Sequence, residues 1–115
     1  MSLITTDEAK TYLRVDSSME DGLIDSFLLT AEKLCADVGR MSAGEWDLLS
    51  DETTEEMSIR GTDILVGEIL QLRSLMRTAV LYALGYLYEH REEADHHDLV
   101  MTLRNLLSSV REGVF

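Results

Sequence analysis

The sequence predicts an all-α fold: a small bundle of two long helices, a short N-terminal helix and a C-terminal helix, with an irregular acidic segment between the long helices. Three observations predict it. The chain has no proline, so no residue is barred from a helix interior by a missing N–H. Apolar residues recur at i, i+3 and i+4, the spacing that lines one face of a helix. Ser or Thr stands three residues before Glu at Thr5/Glu8, Ser17/Glu20 and Ser42/Glu45, the pattern of a capping box that opens a helix. At 115 residues, 45% of them apolar, the chain is read as one domain over residues 1–115, with enough apolar surface for one core.

In chain order, Thr5 opens a short helix over 5–14, with Ala9, Tyr12 and Leu13 on one side. Residues 15–18 read as a turn, and Ser17 with Glu20 as the cap of the next helix. That helix spans about 18–38. Its stripe is Leu23, Ile24, Phe27, Leu28, Ala31, Leu34, Cys35 and Val38, with Glu20, Asp21, Asp25, Glu32 and Lys33 opposite, and Gly39 is the expected left-handed residue after it. Ser42 suggests a brief helix around Trp46, Leu48 and Leu49. Residues 51–63 read as a loop. The longest helix is expected over 67–92. Ile69, Leu70, Leu72, Leu75, Met76, Ala79, Val80, Ala83, Leu84, Leu87 and Tyr88 fill more than one of its faces, so it needs covering on several sides. After a polar break at 93–97, a last helix over 98–111 carries Leu99, Val100, Leu103, Leu106, Leu107 and Val110.

Charge narrows the function. Twenty-two acids against ten bases give a net charge of −12, which disfavours gripping phosphate backbones or anionic membranes. Residues 45–68 hold eight acids and one base. This segment is read either as a solvated loop or as a surface to which DNA does not stick. Arg73 and Arg77 interrupt the apolar stretch 69–88, which argues against a membrane span. The N-terminus shows no basic-then-apolar leader pattern. Lone Cys35 has no partner for an internal disulfide and fits a reducing compartment.

The search for chemistry yields little. His90, His96 and His97 lie among acids but lack the i, i+4 pairing of a helical zinc site. No glycine-rich phosphate loop is present, and no helix has the basic face of a DNA reader. No catalytic residue, cofactor or metal is assigned, and the chain is read as a non-enzyme.

Three stretches carry a resemblance. Leu3-Ile4-Thr5-Thr6-Asp7-Glu8-Ala9-Lys10-Thr11-Tyr12-Leu13-Arg14-Val15-Asp16, followed by Glu20-Asp21-Gly22-Leu23-Ile24, is one. The run Ala79-Val80-Leu81-Tyr82-Ala83-Leu84-Gly85-Tyr86-Leu87-Tyr88-Glu89-His90-Arg91-Glu92 closing the long helix is the second. The tail Leu106-Leu107-Ser108-Ser109-Val110-Arg111 is the third. In this order they resemble the head–tail connector family of tailed bacteriophages, often described as DNA-packaging proteins. Residues 40–67 depart from the family, whose connection there is usually shorter and often holds a proline.

The resemblance implies a structural subunit that assembles with itself into a ring, typically a dodecamer in the virion. The ring docks on the portal protein, meets a tail-completion protein and extends the DNA channel, with DNA passing through without sequence-specific binding. Its place is the virion head–tail junction, reached from the bacterial host cytoplasm during assembly. The partner contacts expected are Tyr86, Tyr88 and Arg91 at the end of the long helix and Arg104, Arg111 and Phe115 at the end of the chain. The alternative is a stand-alone acidic helical module such as an antitoxin or regulatory adaptor.

Overall fold

A computed structural model describes residues 2–93 and 95–113. Six helices and one small hairpin follow in the order α1 (Thr6–Leu13), α2 (Asp21–Val38), α3 (Ala43–Ser50), β1 (Met57–Ile59), β2 (Thr62–Ile64), α4 (Val66–Glu89), α5 (His97–Leu106) and α6 (Ser108–Glu112). The fold is the expected small helical one, and α4 is its axis, packing against α1, α2, α3 and α5. No helix among the described residues is long and apolar enough to cross a membrane.

Two of the three expected capping boxes form. Thr5 Oγ1 accepts from the Glu8 N–H and the Glu8 carboxylate accepts from the Thr5 N–H, both at 3.1 Å. Ser42 and Glu45 repeat the arrangement at the start of α3. The Ser17/Glu20 box does not form. Glu20 is itself the N-cap of α2, three residues later than the pattern needs, and Ser17 Oγ accepts from the Met19 N–H instead.

The end of α2 also differs from expectation. Gly39 keeps a right-handed backbone, and Arg40 takes the left-handed position with φ 57°. The Met41 N–H reaches back to the Ala36 carbonyl at 2.9 Å, the long return bond of a Schellman turn. Gly39 is required for space: a Cβ there stands 2.8 Å from Met76 Cε and 3.2 Å from the Cys35 carbonyl oxygen.

Glu32, expected on the outer side of α2, is buried. Its Oε1 accepts from the Leu3 N–H at 2.6 Å and the Ile4 N–H at 3.3 Å, and the carboxylate also takes the Ser2 hydroxyl. The first residues are thereby held as part of the core, with Ile4 fully buried. Leu23, expected in the stripe, faces solvent. Cys35 is fully buried between the long helices. Burial, aided by the Glu32 charge, pushes its thiol up to about 12.

The segment between the long helices is more ordered than the sequence suggested. It contains α3 and an antiparallel hairpin pairing Met57 with Ile64, Ser58 with Asp63 and Ile59 with Thr62. The two linking residues, Arg60 (φ 50°) and Gly61 (φ 84°), both sit at positive φ, as a type I′ turn demands. Met57, Ile59 and Ile64 turn inward. Arg73 of α4 fastens this unit, donating from Nε to the Leu49 carbonyl (2.8 Å) and from Nη2 to the Asp51 carbonyl (2.9 Å). One turn on, Arg77 holds the N-terminal side by bonding the Leu3 carbonyl (2.8 Å) and the Glu8 carboxylate. The arginines that interrupt the apolar stretch thus anchor the segments on either side of α4.

The longest helix ends at Glu89, earlier than expected, and the expected last helix is two pieces that break at the buried Leu107.

Candidate interaction surfaces

Tyr86, Tyr88 and Arg91 come together at the C-terminal end of α4. The Tyr86 ring stacks on His90, with centroids 4.2 Å apart, and meets His96 edge-on at 6.1 Å. Desolvation and the nearby Glu93 and Asp98 carboxylates raise its hydroxyl above the ordinary tyrosine range. The Tyr88 hydroxyl donates to Glu20 at 2.5 Å, tying the end of α4 to the start of α2. The Arg91 guanidinium lies over the Tyr88 ring, 4.9 Å from its centroid. Tyr88 is therefore engaged inside the chain, and with Tyr86 it borders a groove between α1 and α4.

That groove is lined by all four tyrosines, Tyr12, Tyr82, Tyr86 and Tyr88, with Arg14 at its edge. Gly85 makes room for it, because a Cβ there lies 3.2 Å from the Tyr12 ring. Tyrosine and arginine are the side chains that most often anchor protein interfaces. Tyr12 and Tyr82 were not among the expected contacts. Their signal was the 82, 86 spacing along one helix face, and Tyr12 joins only through the packing of α1 on α4.

Arg111 lies at the other end of α2, in a different surface. Arg111 Nη1 donates to the Val38 carbonyl at 2.8 Å. Arg60, from the hairpin turn, donates to the carbonyls of Arg40 (2.9 Å) and Gly39 (3.4 Å), and also to Val110 and Arg111. The two guanidiniums satisfy the carbonyls that the ends of α2 and α6 leave open, where a helix dipole favours positive charge. Arg104 is exposed on α5. Partial desolvation and the Arg40 and Arg104 charges lower the Arg111 pKa, so these groups stand within electrostatic reach of one another. Phe115 lies outside the described residues.

A third surface is the outer face of α4. Val66, Leu70, Ser74, Thr78 and Tyr82 recur every fourth residue, all exposed and none charged. Much of the apolar arc expected to need a neighbour is covered within the chain by α1, α2, α3 and α5. What remains open is Leu65, Val66 and Leu70 at one end and Tyr82 further along. Between α2 and α3, Leu29, Leu34, Met41 and Trp46 line an apolar groove.

Among the described residues, no three His, Cys, Asp or Glu side chains converge to hold a metal ion. Neither the family models, the curated proteins nor the solved structures contain a match to this chain.

Proposed function

We propose that the chain is a structural subunit of a tailed-phage head–tail connector ring, acting without a cofactor and not as an enzyme. The ring docks on the portal protein, extends the DNA channel towards the tail-completion protein and completes the head after packaging, at the virion head–tail junction. The observation that carries this reading is the order of the three sequence stretches that resemble the family. They fall on α1 with the start of α2, on the second half of α4, and on α5–α6. The uncharged outer face of α4 supports it, since an apolar strip on a strongly acidic chain is a surface that another protein chain can cover. The acidic surface suits a channel wall past which DNA slides.

Light scattering at high protein concentration, with co-purification against a tailed-phage portal protein, tests the reading. A ring, alone or on the portal, is the expected result; a monomer that ignores portal rings overturns it. The alternative, a stand-alone interaction module, draws on the α2–α3 groove around Trp46. Co-purification of a small partner at one-to-one stoichiometry, with no ring, selects it.

A further inference from the structure

Among the described residues, five of the six helices show solvent an acid on their exposed side: Asp7 on α1, Asp25 on α2, Asp47 on α3, Asp98 on α5 and Glu112 on α6. The longest helix, α4, does so only at its last residue, Glu89. Its other charged residues are Glu68, Arg73 and Arg77. Glu68 accepts from the Leu65 N–H, Arg73 is buried, and Arg77 is bonded to Leu3 and Glu8. The side of α4 turned away from the core carries Leu70, Ser74, Thr78 and Tyr82, with Gly67 and Gly85 at its ends and no charge before Glu89. In a chain whose residues are 28% charged, a neutral face about five turns long is a surface suited to another protein.

Charge and symmetry say what covers this face. Nucleic acid needs cations and a basic partner needs acids; the face offers neither. Two copies of charge −12 repel wherever their charged surfaces meet, and this face is where they touch without opposing like charges. The face also matches itself when reversed. Leu70 with Tyr82, Ser74 with Thr78, and Gly67 with Gly85 each lie symmetrically about position 76. Two α4 helices laid antiparallel about a two-fold axis there set Leu70 of each against Tyr82 of the other. Ser74 and Thr78 meet at the centre, where short side chains let the two axes approach closely. The antiparallel direction also opposes the two helix dipoles. At the ends, the Tyr12 ring packed over Gly85 reaches Gly67 of the second copy, where a Cβ would have nothing within 4 Å. Residues that exchange places in this way are the mark of an isologous contact.

We infer that the free chain pairs with a second copy through the outer faces of two antiparallel α4 helices, centred between Ser74 and Thr78. With 24 residues, α4 is about 36 Å long. A strip about 10 Å wide on each copy, with Tyr12 and Leu65 at its margins, makes an interface on the order of 1,000 Å² in total. That is the low end of specific interfaces, so the pair is weak and depends on concentration. A two-fold contact closes at two copies. The pair therefore goes beyond the ring reading and does not rest on it.

Sedimentation velocity of the full chain between roughly 5 and 500 µM tests it, the range in which a weak pair shows itself. A monomer–dimer equilibrium is expected, and added salt should strengthen it by screening the repulsion between the two acidic chains. S74E should weaken the pair at least about tenfold, because each copy then sets a charge against a neutral face. Mixing S74E with T78K should restore it, since the two new charges face each other across the axis. Both positions are exposed, so the circular dichroism of each variant should match the wild type. Oxidation of S74C mixed with T78C reads the direction: a disulfide should join the two variants in preference to joining either with itself. Buried Cys35 stays out of that reaction. A wild type that is monomeric at the highest concentration overturns the pair, and so does pairing of S74E at wild-type strength. Weakening by salt, or S74C that links to itself in preference, overturns it as well. Portal binding decides the ring reading separately.

Discussion

Glu8 does two jobs at once: it closes the capping box of α1 and pairs with Arg77 of α4. The Arg77 hydrogen bond and the Thr5 N–H both favour its ionised form and hold its pKa below the usual 4.5. A depressed carboxylate contributes stability that is fully present above the unfolded value and is lost as pH falls through the folded one. The wild type should therefore lose melting temperature below about pH 4.5, and Glu8→Gln should lose less over the same window while being less stable at pH 7. Thermal unfolding at pH 7 and at pH 3 checks both arms. Gly39 has a different constraint, since the space its Cβ needs is already taken by Met76. Gly39→Ala should cost about 1–3 kcal/mol through overpacking, read by urea denaturation. A stabilised variant shows that Met76 yields freely.

At the scale of elements, α3 and the hairpin belong to the fold because Arg73 bonds the carbonyls at the end of α3 from within α4. Arg73→Met leaves those carbonyls unpaired and should cost about 1–3 kcal/mol, with early loss of amide protection in residues 43–64; unchanged exchange there overturns the assignment. The other elements were legible to different degrees. α1, α2, α4 and the Thr5 and Ser42 caps rest on local spacing, and local spacing is what a sequence displays. The hairpin was missed because each strand is three residues long, too short for alternation to register. Its turn also carries Arg60 where Asn or Asp usually signals the type I′ geometry. Ser17 misled because the helix starts three residues later, with Glu20 in the N-cap place that the box assigns to Ser17. At the interaction surfaces, Tyr86, Tyr88 and Arg91 were readable as neighbours on one helix. Arg60 meets the Arg111 carbonyl across 51 positions of sequence, a proximity that only packing creates.

Across the whole molecule, 22 acids are held within extents of 42 × 30 × 19 Å. Their mutual repulsion opposes the compact state, and salt screens it. The melting temperature should rise between roughly 10 and 150 mM NaCl; a fall shows that the ion pairs at Lys10, Lys33 and Arg77 outweigh the repulsion. The buried thiol of Cys35 gives the same molecule a built-in stopwatch. A thiol reagent needs the thiolate and needs access, and the folded chain denies both until α2 lifts away from α4. The rate at which Cys35 is modified in native buffer therefore counts openings of the core, one chain at a time. If that rate climbs with urea in step with global unfolding, the two long helices are the last parts of the molecule to let go.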